Sequence, residues 1–243
     1  MAIQISTYET YKSLPKEDYA GCTTIVIDVM RATTTITTAL CNGAKSVVPV
    51  EEVEEGIQAK ERMIADGEKC INGGERGGVK LPSYDCDNSP LQFTKEKVAD
   101  THVVLCTTNG TQAIAAAGQS SAILIGCMNN KTAVAKAAVT QGKDIIILCS
   151  GTKGKFTCDD IVTAGAIADC ILKELPRAQP DDLTCTSMYL YQSNVHALKD
   201  FLTFTLPYKI LKELGLEHEF DYCLKEDIAC NVPIMRDGHI VNL

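Results

Sequence analysis

Thr24-Ile25-Val26-Ile27 runs directly into Asp28-Val29-Met30-Arg31-Ala32-Thr33-Thr34-Thr35, and the reading of this junction decides the fold. The first four residues are apolar and mostly β-branched, the composition of a buried strand. A helical pattern follows: Ile36, Ala39 and Leu40 share a face, and Asn42-Gly43 is a stop signal. An acid, Asp28, and a base, Arg31, therefore sit where the carboxyl end of a strand turns into a helix. In open α/β sheets ligands bind along that edge, and a helix start offers free backbone N–H groups to an anion. The carboxylate can hold a metal, and the guanidinium can hold phosphate or a carboxylate. Taken alone, the stretch favours a plainer reading in which Asp28 caps the helix and Arg31 is solvated.

Working outward, the same alternation of strand and helix recurs. Ile3 to Ser6 reads as a short strand and Thr7 to Ser13 as weakly helical. Ser46–Val50 reads as a strand. Glu51 to Ala65 is an amphipathic helix, with acids in its first turn and Gly67 as its stop. Lys69-Cys70-Ile71 is a short strand. Residues 72–93 carry Gly73, Gly74, Gly77 and Gly78 and read as one long loop, of a length that is usually functional or disordered. The apolar Leu81, Tyr84 and Leu91 argue against simple disorder. His102–Cys106, Thr107–Thr111, Gln112–Ala117 and Ala122–Ile125 then repeat the opening order of strand, Thr-rich turn, short helix and strand. This spacing suggests an internal βαβ duplication. Asn130 to Thr140 is an alanine-rich helix. Asp144–Leu148 is a strand with both faces apolar, feeding Ser150–Lys155 and then Cys158-Asp159-Asp160 ahead of a helix to about Leu175. Beyond Pro180 the pattern is mainly helical, ending in a hairpin that turns at Asp237-Gly238. No linker sets off a C-terminal domain. The expected architecture over residues 1–243 is one α/β domain: a three-layer α/β/α arrangement with a mainly parallel sheet and a helical C-terminal section.

Composition narrows the function. The 243 residues are 45% hydrophobic, enough for a sizeable core, and carry a net charge of −8. That charge, the absence of Trp and an aromatic content of 5% argue against nucleic acid as a partner. No window is long enough to span a membrane, and the N-terminus lacks a signal-peptide pattern. The 12 cysteines are scattered singly without a C-x-x-C pair, which excludes a zinc ribbon or redox motif and suits reduced thiols in a cytoplasm. A homodimer is the default assembly.

Four polar segments follow strands: Asp28–Thr35, Gly73–Ser89, Thr107–Thr111 and Ser150–Asp160. In a parallel sheet the first, third and fourth converge on one edge. Asp28, Glu75, Asp85, Asp159 and Asp160 are hard oxygen ligands suited to magnesium. Arg31, Arg76, Lys153 and Lys155 can neutralise phosphate or another acid, and Gly110, Gly151 and Gly154 permit close backbone approach. Together they suit metal-assisted chemistry at phosphorus. Plainer roles stand beside each: Asp159-Asp160 as acids at a helix N-terminus, the two lysines as solvated charges, Thr107–Thr111 as a capped turn. Ser150–Gly154 lacks the P-loop spacing. Asp85-x-Asp87 has the spacing of the paired aspartates of haloacid-dehalogenase-type phosphatases, but follows Pro82 in a loop rather than an apolar strand. The histidines lack metal spacing, and no G-x-S-x-G signature occurs.

The ordered set Asp28-Val-Met-Arg31-Ala32-Thr33-Thr34-Thr35, Gly74-Glu75-Arg76, Asp85-Cys-Asp-Asn88-Ser89-Pro90, Thr108-Asn109-Gly110-Thr111 and Ser150-Gly151 through Asp159-Asp160 resembles the 2-phosphosulfolactate phosphatase (ComB) family. The resemblance covers roughly Thr24 to Ala168. Two departures stand out: Asp87 occupies a position where the family pattern carries glycine, and Asp159 is one carbon shorter than the glutamate often found there. The resemblance implies a magnesium-dependent phosphatase that converts 2-phospho-3-sulfolactate to 3-sulfolactate and phosphate, a step toward coenzyme M. It implies Asp28, Arg31, Glu75, Arg76 and Asp160 as catalytic residues, with Asp28, Glu75, Asp159 and Asp160 as the metal set. Thr33, Thr34, Asp85, Asn88, Ser89, Asn109, Gly110, Thr111, Ser150 and Gly151 would line the substrate. A same-family phosphatase acting on another small phosphorylated hydroxy acid stays open, as does a protein that binds an anionic metabolite without turning it over.

Overall fold

A computed structural model describes residues 2–243. In chain order the elements are Gln4–Tyr8 (β1), Thr23–Ile27 (β2), Ala32–Cys41 (α1), Ser46–Val50 (β3), Val53–Ala65 (α2), Cys70–Arg76 (β4), Val79–Lys80 (β5), Lys95–Val98 (α3), His102–Cys106 (β6), Gly110–Ala116 (α4), Ala122–Gly126 (β7), Lys131–Thr140 (α5), Ile145–Cys149 (β8), Cys158–Glu174 (α6), Gln179–Pro180 (β9), Asp182–Asn194 (α7), Leu198–Leu202 (α8), Leu206–Glu213 (α9), Glu217–Cys223 (α10), Pro233–Arg236 (β10) and His239–Asn242 (β11). The described strands form one 11-stranded sheet in the order β5-β4-β6-β3-β11-β10-β7-β2-β8-β1-β9. The fold is α/β with a largely parallel, open sheet, as the alternating pattern predicts.

Two parallel blocks make up the sheet. In one, β4, β6 and β3 pair in parallel; in the other, β7, β2, β8, β1 and β9 do. The C-terminal hairpin β10–β11 lies between them, antiparallel to β7 on one side and to β3 on the other. Three antiparallel pairings in a row give the two blocks opposite sense. The carboxyl ends of both blocks nevertheless meet at one place, where residues following β2, β6 and β8 and the end of β4 face a common space. The two strand–helix–strand units sensed in the sequence are present, but neither has neighbouring strands. β2-α1-β3 crosses from the second block to the first, and β6-α4-β7 crosses back.

Strand alternation assigns the layers. Val26 of β2 and Val103 and Leu105 of β6 pack with Ile36 and Leu40 of α1 and Ile114 of α4. The opposite face of β2, Ile25 and Ile27, packs with Val134 of α5 and Ile161 and Ile167 of α6. The opposite face of β6, Val104 and Cys106, packs beside Val53 and Ile57 of α2. Helices thus cover both faces, and α1 and α4 serve both blocks.

Two local readings change. The stretch from Thr7 is strand through Tyr8 and then turns, because Ile5–Tyr8 continues in register with Ile145–Leu148. The glycine-rich run after Ile71 is not all loop: β4 extends to Arg76, with Asn72, Gly73 and Gly74 paired to Val104, Leu105 and Cys106. Its glycines reflect crowding. A Cβ on Gly73 would lie 2.6 Å from the Phe93 ring, and one on Gly74 2.4 Å from the Cys106 carbonyl oxygen.

Candidate active site

The carboxyl ends of β2, β4, β6 and β8 surround a cleft of about 600 Å³, its solvent-filled mouth included, whose walls carry Asp28, Met30, Arg31, Glu75, Asn88, Thr108, Asn109 and Lys153. Its roof is apolar: Pro207, Ile210 and Leu211 from α9, which packs close to the Gly77-Gly78 turn. A Cβ on Gly78 would stand 3.0 Å from Ile210 and 3.1 Å from Leu214.

Asp28 is fixed by the start of α1. Its carbonyl accepts from Thr33 N at 3.0 Å, and its backbone N–H donates to Thr33 Oγ1 at 3.1 Å. Ala32 N–H reaches Asp28 Oδ1 at 3.4 Å. Thr34 Oγ1 donates to Val29 O, and Thr35 Oγ1 donates to Asn88 O at 2.7 Å. The threonines expected to receive phosphate therefore spend their hydroxyls bracing the loop. Gly110 backs directly onto Asp28: a Cβ there would lie 2.7 Å from Asp28 Oδ2 and 2.5 Å from Ala32 Cβ.

Asp160, at the start of α6, clamps two strand ends together. Its Oδ1 accepts from Val29 N at 3.0 Å, and its Oδ2 from Gly151 N at 3.0 Å and Ser150 Oγ at 3.1 Å. Ser150 N in turn donates to Ile27 O at 2.7 Å. Glu75 performs the equivalent task in the other block, accepting from Thr108 N at 2.8 Å, Thr108 Oγ1 at 3.0 Å and Gly78 N at 2.7 Å. Both acids, expected as metal ligands, are thus committed to holding loops. Asp159 differs: it is buried, and its Oδ1 has no hydrogen-bond partner. Asn88 Oδ1 is likewise buried and unpartnered.

Burial first, then repulsion from the Asp160 and Glu75 carboxylates, pushes the Asp28 carboxyl up to about 8. Burial also raises Asp159 and Asp160 to about 7, with Asp28 adding to the rise in Asp159 and Asp159 to that in Asp160. Among the described residues no three His, Cys, Asp or Glu side chains converge as a ready-made metal cage.

Arg31 lines the cleft but is not free. Its Nη1 donates to Glu219 Oε2 of α10 at 2.6 Å, and its Nη2 to Gly78 O at 3.3 Å. Arg76 lies outside the cleft. Neighbours on a strand point to opposite faces, so with Glu75 turned to the site Arg76 turns to Glu51 O and Cys106 Sγ. Asp85 also lies outside, paired with Lys60 Nζ at 2.6 Å and Asn72 N at 2.9 Å. Thr111 is locked in reciprocal bonds with Thr107. Ser89 is buried beside Asp87 and does not line the cleft. Gly151, at φ +63, turns the chain where a Cβ would lie 2.4 Å from Lys155 O. Asn109 does reach the cleft, and its Oδ1 accepts from Lys153 N at 3.4 Å.

Sequence reasoning left Lys153 out of the site, although it is the cleft's exposed cation. It also missed Met30, Thr108, Glu219 and the α9 roof. Lys153 stood in a quoted segment and was readable there; the C-terminal contributions carried no local signal.

A cleft at the carboxyl ends of an α/β sheet, rich in carboxylates and backed by Lys153 and Arg31, is the framework of a phosphoric monoester hydrolase. The chain belongs to the 2-phosphosulpholactate phosphatase family, whose model matches residues 8–238. It is 40% identical to a "Probable 2-phosphosulfolactate phosphatase" of Caldanaerobacter subterraneus subsp. tengcongensis, over 96% of each chain. It is 41% identical to a protein of the same description from Clostridium novyi, over 90% of this chain and 92% of that one. A third, from Clostridium acetobutylicum, is 38% identical over 94% and 95%.

Proposed function

We propose that this protein hydrolyses 2-phospho-3-sulfolactate to 3-sulfolactate and inorganic phosphate with a magnesium ion, as a step toward coenzyme M, in a cytoplasm that keeps its cysteines free. The relatives' descriptions supply the substrate. The observation that carries the reading is the charge imbalance of the cleft. Asp28 feels the charge of Asp160 and of Glu75, Asp159 feels that of Asp28, and the affinity for protons is raised at Asp28, Asp159 and Asp160, while Arg31 is already matched by Glu219.

A divalent cation fits this residue set. Asp28 would hold it from the cleft wall, and Asp159 would contribute its unpartnered oxygen. Magnesium is commonly held by one or two carboxylates, with water and substrate phosphate completing its shell. When bound, it would neutralise charge developing on the phosphoryl oxygens.

The chain's own groups do the rest. Lys153 attracts the anion at the mouth, a long-range effect that salt weakens. Asn88 stands in the cleft wall, where a side-chain amide N–H2 can donate to a substrate oxyanion. Met30, Ile210 and Leu211 exclude water, which strengthens every charge interaction inside. The substrate's phosphate, carboxylate and sulfonate suit a cleft whose cations stand apart on different walls.

The test is phosphate release from a panel of phosphorylated hydroxy acids, with magnesium and with chelator. Phosphosulfolactate should give the highest kcat/KM, with turnover lost in chelator and in Asp28→Asn. A preferred substrate without a sulfonate defeats the substrate assignment; full turnover in chelator defeats the metal.

A further inference from the structure

Arg31 and Glu219 meet far from each other in sequence and almost entirely away from solvent, at 3% and 2% exposure. A buried ion pair is a poor device for stability alone, because desolvating both charges offsets much of their attraction. This one stands in the wall of the cleft, and its geometry is one-sided. A guanidinium carries five N–H donors in a rigid fork. One goes to Glu219 Oε2 and one to Gly78 O. The other donors have no protein acceptor among the described residues.

Glu219 belongs to the same C-terminal section as the roof. Tyr208 of α9 packs edge-on against Phe220 of α10, with ring centroids 4.9 Å apart. The end of α10 is tied down where Asn129 Nδ2 donates to Tyr222 O at 3.0 Å and Lys225 O at 2.7 Å, and where the Thr38 and Tyr222 hydroxyls meet at 3.1 Å. The acid that grips the guanidinium is therefore anchored, and the arginine reaches it on the longer side chain.

We propose that Glu219 is the positioning residue for Arg31: it holds one edge of the guanidinium so that the remaining N–H donors face the cleft and receive an oxyanion of the substrate. The proposal rests on the phosphatase reading above and extends it to a residue of the C-terminal section. Without Glu219 the arginine keeps its charge but loses its aim. Substrate binding and orientation suffer, while the fold keeps its carboxylates and its roof.

The experiment is a double-mutant cycle on the full chain with Arg31→Lys, Glu219→Ala and the double variant, read as kcat/KM for phosphosulfolactate with magnesium. Inorganic phosphate binding by calorimetry supplies a readout independent of turnover. Glu219→Ala should lower kcat/KM on the order of 100-fold, the cost of a clamp misplaced by about 1 Å, with KM raised. In the Arg31→Lys background the same change should cost less than about 3-fold, because the group it positions is already gone. Glu219→Gln, which keeps an acceptor at the same place, should recover most of the activity and of the phosphate affinity. Wild-type kinetics in Glu219→Ala, or losses that multiply in the double variant, overturn the proposal. If Glu219→Ala fails to fold, Glu219→Gln decides: affinity and kcat/KM as low as those of Arg31→Lys overturn it. If the wild-type enzyme prefers a different phosphorylated acid, the substrate reading fails, and the same cycle run on that acid still decides the role of Glu219.

Discussion

Gly110→Ala tests the core of the site with one methyl group. The new Cβ would stand 2.5 Å from Ala32 Cβ and 2.7 Å from Asp28 Oδ2, whereas carbon atoms in contact sit roughly 3.5–4.0 Å apart. Ala32 is the first residue of α1 and cannot swing aside, so α4 must retreat by about 1 Å or the Asp28 carboxylate must move. Overpacking of this kind costs about 1–3 kcal/mol. Replacing a glycine at the start of a helix returns up to about 1 kcal/mol. The net loss is about 1–2 kcal/mol, a fall in Tm of roughly 2–8 °C for a chain of this size. The protein therefore stays folded at 25 °C, and its activity reports geometry rather than unfolding. A carboxylate displaced by about 1 Å should lower kcat on the order of 100-fold. Thermal unfolding and phosphate release on the same preparation check both figures. Adding Ala32→Gly relieves the clash with α1 but leaves the clash with the carboxylate, so kcat should stay low. A Tm equal to or above wild type with unchanged kcat refutes the reasoning, because Asp28 would then not be held against Gly110.

Other outcomes follow from the same geometry. The Asp28 carboxyl is raised to about 8 by burial and by Asp160 and Glu75, so in chelator its ionisation works against the fold: the folded state binds the proton more tightly, and the stabilisation present below the unfolded value is lost as pH rises toward 8. Asp28→Asn should accordingly be inactive yet more stable than wild type at pH 8 in chelator, with the gain shrinking toward pH 5; thermal scans showing a gain independent of pH contradict this. Lys153→Ala should raise KM roughly 10-fold while moving stability by less than about 0.5 kcal/mol, as exposed substitutions do, and the KM difference should narrow at high salt; equal KM values at low salt count against a role in anion capture. Arg76→Met should cost about 1 kcal/mol in denaturant stability, the net worth of the hydrogen bonds it donates to Glu51 O and Glu75 O, and leave kcat within about 2-fold; a large kcat loss in a folded variant would return Arg76 to the site.

What the sequence made legible was local. Thr23–Ile27 and Ile145–Cys149 are buried on both faces because helices cover both faces of the sheet, and the residues beyond them, Asp28 and Ser150, fall at the strand ends by necessity. The Asp237-Gly238 turn was readable for the same kind of reason: both residues take positive φ, as a tight hairpin requires. The illegible parts are those where a residue's job depends on distant partners. Glycines at 73 and 74 look like loop until Phe93 and the Cys106 carbonyl are placed against them. Glu75 and Arg76 look like one functional pair until the strand that carries them is seen, whereupon alternation sends them to opposite faces. Thr33, Thr34 and Thr111 look like ligand donors until their hydroxyls are traced to the backbone of their own loops.

The C-terminal section is the clearest instance of this dependence. In the sequence it looks like an appendage to a finished α/β unit, yet it does two jobs that the first part of the chain cannot do. β2-α1-β3 leaves one block of the sheet for the other, and β6-α4-β7 returns, so both helices cross a seam with no strand of their own to fill it. The hairpin β10–β11 fills it, pairing Ile234 with Leu124 on one side and Ile240 with Val47 on the other. With the seam joined, the strand ends carrying Asp28 and Glu75 come to lie around one cleft, and α9 and α10 arrive over it with Ile210, Leu211 and Glu219. The polar floor can be read as motifs because each piece sits beside the strand that positions it. The seam, the roof and the partner of Arg31 depend on the last residues of the chain meeting the first, so no stretch of sequence announces them.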